Sequence, residues 1–298
     1  MFLFHLASTL EPHATGAHSE HVPLPMIAPK IFEVFGFPVT NSMLVSAVVA
    51  AVIIIFAQIA LRNVSLIPGP AQNFFEILIE KISVVLEGVL GWDLLRQTFW
   101  FFASIFIFIM ACNLQALMPG VGTIGVGTGP TWYNLNQVSH PFMRGANADA
   151  NMTLALALSF FAMWIFWALK FNGPVGVVKH LFIPNAKMPT GVFIIILPFF
   201  IFVGFIEIIS IMVRPVSLTF RLFGNIYGGE AIIDQIKHMA PSIWMKALAL
   251  LPVYTYELLV ALVQALVFCL LTAVFTALIC RHDDHGDKHA DKHGEKAH

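Results

Sequence analysis

Charge is what this 298-residue sequence has least of: Asp, Glu, Lys and Arg make up 11% of it, against 58% hydrophobic residues. A soluble domain of average composition carries about 25% charged residues, so a globule of this size would lack a water-compatible surface. That excludes an ordinary soluble enzyme. The 16 Lys and Arg nearly cancel the 17 Asp and Glu, and the basic residues are scattered, so no patch points to nucleic acid. The medium that suits this composition is lipid.

Cysteine is almost as scarce. Cys112, Cys269 and Cys280 are odd in number and lie in or beside apolar runs, so neither a disulfide framework nor zinc-ligand spacing is present. The opening MFLFHLASTL has no basic n-region, so the sequence predicts no cleaved signal peptide and a chain starting at or near Met1. Gly120, Gly122 and Gly125 fit G-x-G-x-x-G, but Pro119 precedes them instead of a strand and no P-loop Lys follows, which excludes a nucleotide-binding reading. No cofactor is implied.

What the sequence does have is long apolar runs. A spanning helix needs about 20 mainly apolar residues, and five stretches qualify: near 40–62, 99–118, 151–170, 190–236 and 242–280. Residues 72–90 differ, because Glu76, Glu80, Ser83 and Glu87 recur at i, i+4, i+7 and i+11 among apolar residues. One polar face on an apolar helix suits the membrane surface; the alternative is a further short span. The expected fold is an all-α integral membrane protein of about five transmembrane helices plus one interfacial amphipathic helix, the last two spans forming a long, polar-lined hairpin. Residues 1–33 would form an external, periplasmic segment, 34–281 the membrane domain, and 282–298 a His-rich cytoplasmic tail. That tail, with five His among Asp and Lys, reads as solvated and disordered rather than as a metal site.

Five crossings put the termini on opposite faces. With the N-terminus outside, Arg62, Lys81, Arg96, Lys170, Lys179, Lys187, Arg281, Lys288, Lys292 and Lys296 lie inside, and only Lys30, Arg144, Lys237 and Lys246 outside. This distribution obeys the positive-inside rule.

Apart from Lys246 at the outer end, six charged residues fall inside the last two apolar runs: Glu207, Arg214, Arg221, Glu230, Asp234 and Glu257. A charge near the bilayer centre costs a few kcal/mol or more, so such residues face a polar pathway or a partner. Glu207, Arg214 and Arg221 are spaced by seven and share one helix stripe, with Asn225 one turn further on. Glu230 lies half a turn round from Arg221 and about 13 Å along the axis, and Asp234 shares its face. Tyr254, Glu257 and Gln264 form a matching row on the last span. A hairpin turning near 238–241 sets Gln264 opposite Arg221 and Glu257 opposite Glu230. An ion-pair network locking the hairpin fits Glu207 with Arg214. It fits Arg221 badly, because no opposite charge is near it in sequence, and that points to a partner on another chain. Gly224 and Gly228 beside it form a small-xxx-small pair that allows a helix to approach.

The segment RPVSLTFRLFGNIYGGE (214–230) resembles the signature of subunit a of the F-type ATP synthase membrane sector. Asp149 and Asn151 in ADANMTLALAL, Glu207 and the Gln264 helix fall in register with it. The resemblance implies a non-catalytic, ion-translocating subunit of the bacterial inner membrane, partnered by a ring of c subunits, a b-subunit stator stalk, the remaining synthase subunits and the bilayer. By this resemblance Arg221 faces the ring carboxylates. Being permanently charged, it attracts a deprotonated carboxylate and blocks a leak between two offset half-channels. Asn225, Glu230, Glu257 and Gln264 match the outer half-channel, Asp149 and Asn151 its mouth, and Glu207 and Arg214 the cytoplasmic side. The sequence departs from the family where an acid is commonly matched with a histidine: positions 230 and 257 are both Glu. Two close carboxylates in a low-dielectric site do not both ionise readily and are expected to share a proton. His238 is a candidate for the missing relay, with Tyr254 and Asp234 as lesser ones. The rival readings are a self-contained secondary transporter, for which no internal repeat is found, and a non-conducting assembly subunit.

Overall fold

The computed structural model describes residues 30–34, 37–118, 121, 125–127, 138–141, 144–182, 190–239 and 242–280. Most of the expected external segment, the His-rich tail, and Gly120 and Gly122 lie outside the described residues.

Six helices carry the described chain, and five are long and apolar enough to cross a membrane. α1 (Asn41–Leu61) follows a short hairpin of β1 (Lys30–Val34) and β2 (Phe37–Thr40). Thr40 caps it, its hydroxyl accepting the Met43 N–H at 3.3 Å. α2 (Pro70–Leu90) starts on proline, whose missing N–H is harmless in a first turn. Its Phe75, Ile82, Leu86 and Leu90 are buried while Glu76, Glu80 and Glu87 are exposed, the amphipathic pattern expected of an interfacial helix. Gly91, at φ 73°, then turns the chain directly into α3 (Trp92–Ala116). This helix begins seven residues before the expected span. Asp93 and Arg96 dilute the apolar run there without interrupting the helix, and Asp93 suits the positive end of the helix dipole.

A second antiparallel pair, β3 (Gly125–Gly127) with β4 (Val138–Pro141), lies between the second and third spans. The all-helical reading contained neither pair, because ladders of three to five residues are too short to show alternation. A 3-10 turn (Ala146–Ala148) leads into α4 (Ala150–Phe182). That helix is broken at Gly173, at φ 68°, next to Pro174, which has no N–H to continue the ladder.

α5 (Thr190–Met239) has 50 residues and α6 (Ile243–Cys280) has 38. At 1.5 Å per residue they run about 75 Å and about 57 Å, against a hydrocarbon core of about 30 Å. Both therefore run obliquely or extend beyond the hydrocarbon. α6 is the hub, touching α2, α3, α4 and α5. Its Ala261, Ala265, Cys269, Ala273 and Ala277 are all buried and recur every four residues. A ridge of small side chains lets neighbouring backbones approach, which is how helices gain packing energy in lipid. Around it pack Phe102, Ile109, Trp167, Leu218, Leu222 and Phe268. The Trp164 indole donates to the Phe275 carbonyl at 3.1 Å, which fixes α4 on α6.

Candidate functional site

The middle of α5 has two faces. Leu218, Leu222, Ile226, Gly229 and Ile233 are buried toward the rest of the chain, while Ser217, Phe220, Arg221, Gly224 and Asn225 are exposed. Both sets follow the helical period. Arg221 thus stands on the open face, and no described residue forms a hydrogen bond or ion pair with it. A Cβ added at Gly224 or Gly228 would meet nothing within 4 Å; the small-residue pair faces open space rather than another helix of this chain.

Two contacts join α5 to α6 along the expected polar row. The Asn225 side-chain amide donates to Gln264 Oε1 at 2.7 Å, one turn from Arg221. One turn further, the Glu257 carboxylate lies against the backbone of Gly229. A Cβ at Gly229 would fall inside that carboxylate, so only glycine admits it. Glu230 and Glu257, with Asn113, Ala116, Leu117, Ile226, Ile233 and Ala261, line a cavity of about 10 Å³, room for about one water.

The segment leading into α4 closes the site from the other side. The Gly145 N–H donates to Glu230 Oε1 at 2.9 Å, and Arg144 Nε lies 3.5 Å from Glu230 Oε2. The Arg144 guanidinium carbon sits 5.8 Å from the Tyr227 ring centroid. Asn147 donates to Asn113 Oδ1 at 2.7 Å, and Asn113 in turn donates to the Ala261 carbonyl at 3.1 Å, so α3, α6 and the connector share one buried polar chain. Asp149 is the N-cap of α4: its carboxylate accepts the Asn151 N–H at 3.0 Å. Burial pushes the Asp149 carboxyl above its ordinary value, opposed by that N–H and by the charge of Arg144. Asn151 itself is exposed.

On the other side of Arg221, Glu207 and Arg214 form no ion pair with each other among the described residues. Arg214 instead lies over the Phe275 ring, 4.4 Å from its centroid. Asp234 and Tyr254 are half-buried beyond the two glutamates. His238 falls in the last turn of α5, and its side chain lies outside the described residues. No cluster of three metal-ligating side chains occurs among the described residues.

Sequence reasoning missed Arg144, Gly145, Asn113, Asn147 and Gly229. By sequence Arg144 reads only as an outer-loop charge that orients the chain. Its signal was present, however, since it is the first charged residue after Arg96 and precedes a span on the side that carries both glutamates.

The fold and site define a multi-pass α-helical membrane protein with a buried polar row between its last two helices and one cation displayed on an open face. The chain belongs to the ATP synthase A chain family, whose description matches residues 43–277. It is similar to proteins named ATP synthase subunit a in several bacteria. Identity is 32% to that of Solidesulfovibrio magneticus, covering 71% of this chain and 75% of the relative. It is 33% to that of Nitratidesulfovibrio vulgaris, covering 72% and 75%. It is 30% to that of Desulfosudis oleivorans, covering 79% and 88%.

Proposed function

We propose that the chain is the proton-conducting stator subunit of a rotary F-type ATP synthase, supplying two offset half-channels and the arginine that separates them. It is multi-pass in the inner membrane, with its N-terminus periplasmic and its C-terminus cytoplasmic, as the distribution of Lys and Arg favours. Its partners are the c-subunit ring on the open face of α5, the b-subunit stalk and the other synthase subunits. The outer path runs past Asp149 and Asn151 to Glu230 and Glu257, then to Gln264 and Asn225 beside the ring; the inner path runs past Glu207 and Arg214. In this reading the subunit is non-catalytic.

The observation that carries this reading is the position of Arg221: a guanidinium inside a helix long and apolar enough to cross a membrane, exposed, without a partner among the described residues. An uncompensated charge in lipid is costly, so its counter-charge belongs to another chain. A guanidinium stays protonated at any relevant pH. It therefore draws an ionised ring carboxylate toward it, promotes loss of that group's proton, and cannot itself relay one between the two paths. The test is Arg221→Ala in the whole synthase reconstituted in vesicles. Assembly is expected to survive and ATP-driven proton pumping to be abolished; coupled pumping at the wild-type rate would sink the assignment.

A further inference from the structure

Glu230 and Glu257 line the same small cavity, yet their surroundings differ. Both oxygens of Glu230 are met by donors, the Gly145 N–H on one and Arg144 on the other. Glu257, 4% exposed, has no hydrogen bond or ion pair among the described residues; it rests on the Gly229 backbone with the cavity before it. Arg144 is 3% exposed, and its two terminal nitrogens are buried without a partner among the described residues. A Cβ at Gly145 would come 2.5 Å from Glu230 Oε1 and 2.8 Å from the Ala116 Cβ, so the connector is pressed against the acid. The charged groups acting on Glu230 are Arg144 from the connector, Lys237 two turns along α5 and Glu257 from α6. From α3 the polar lining of the cavity is the neutral Asn113.

We propose that Arg144 fixes Glu230 as a standing counter-anion and thereby makes Glu257 the carboxyl group that takes up and hands on the proton in the outer path. Arg144 is then a positioning residue. The cycle balances within the site. Neutral Glu257 breaks its O–H bond and passes the proton, past Gln264 and Asn225, toward a ring carboxylate. The resulting carboxylate then takes a proton from a hydronium ion in the cavity, leaving water. The reverse order serves pumping.

This inference rests on the function proposed above, so the experiment includes Arg221→Ala as a control; wild-type pumping there would overturn the function itself, whereas the outcomes below bear on Arg144 alone. Whole synthase carrying each variant is reconstituted in liposomes, its subunit content is checked, and proton flux is followed against the pH of the outer compartment. Glu257→Gln is expected to lower flux about 100-fold, the scale on which a proton-transferring group acts. Removing the ion pair as a neutral unit, Arg144→Gln with Glu230→Gln, strands no charge and is expected to lower flux less than Glu257→Gln does. Arg144→Gln alone leaves Glu230 stranded, and it is expected to do worse than the double variant and to move the pH profile about one unit alkaline, the smaller end of what an adjacent opposite charge produces. Arg144→Lys is expected to restore the profile, which a purely structural arginine would not predict. The proposal is overturned if the double variant loses as much flux as Glu257→Gln or does not assemble, if Glu257→Gln conducts normally, or if Arg144→Gln leaves the pH profile in place.

Discussion

Asn225 and Gln264 are joined by a 2.7 Å hydrogen bond from the Asn225 amide to the Gln264 carbonyl oxygen, and they differ in exposure. Gln264 is 4% exposed with its Nε2 unpartnered among the described residues, whereas Asn225 is on the open face beside Arg221. The pair therefore spans the wall between the buried polar row and the surface of α5. A hydrogen bond with one exposed partner contributes only about 1 kcal/mol. Gln264→Leu is accordingly expected to leave the subunit's content in the assembled complex unchanged. It should reduce ATP-driven pumping at least tenfold, as followed by quenching of a pH-sensitive dye in vesicles. Equal losses of assembly and pumping would make the pair structural.

Gly229 makes room for the Glu257 carboxylate. Gly229→Ala is expected to push that carboxylate out of its place and to cut pumping more than tenfold, a displacement effect of the kind seen when reacting groups shift by about 1 Å. The shorter acid in Glu257→Asp withdraws the carboxylate by one methylene, so the double variant should pump faster than Gly229→Ala alone. If Glu257→Asp made the alanine variant worse, the contact would not be the cause.

Much of this arrangement was legible in the sequence, for definite physical reasons. Charge is so costly in lipid that each intramembrane ionisable residue is informative, and the helical period then assigns it to a face. Spacing and a hairpin turn set Gln264 opposite Arg221 and Glu257 opposite Glu230; in the structure each contact falls on a neighbouring residue of α5, Gln264 on Asn225, one turn from Arg221, and Glu257 on Gly229, next to Glu230. Arg144 was not legible in this way. It lies in a connector, where no period fixes a direction, and a loop arginine is ordinarily solvated. Asn113 was equally hidden, since one amide in an apolar span is cheap enough to pass without remark. The start of α3 was missed because apolarity locates the lipid-exposed part of a helix, not its first turn.

Asp149 supplies a pH-dependent prediction. Burial raises its carboxyl above the ordinary value, so the fold favours the protonated form. The associated stabilisation is fully present below the unfolded value, about 3.9, and is lost as pH rises through the folded value. Asn caps a helix as well as Asp and carries no charge. Asp149→Asn should therefore match the wild type in thermal unfolding of the detergent-solubilised complex near pH 4 and exceed it near pH 7. Pumping is expected to stay within about twofold, because the cap on Asn151 is kept; a loss beyond about 100-fold would instead make Asp149 a proton-transferring group.

The open face of α5 gives the most direct test of where the partner docks. Ser217 and Gly224 are exposed, on the side of Arg221, while Leu218 and Leu222 on the intervening positions are 1% and 0% exposed. Cys112 and Cys269 are buried and Cys280 half-buried, all as free thiols; replacing them gives a silent background. Single cysteines are then introduced at each of the four positions, with matching cysteines along the outer helix of the ring. Disulfide formation needs Cα atoms within about 7 Å, so it reads proximity rather than accessibility alone. Ser217→Cys and Gly224→Cys are expected to form heterodimers with the ring subunit under mild oxidation, and Leu218→Cys and Leu222→Cys to form none. Crosslinks at all four positions would mean that α5 rotates or that the face is wrongly assigned. Crosslinks at none would place the ring elsewhere and leave Arg221 without the counter-charge on which the proposed coupling depends.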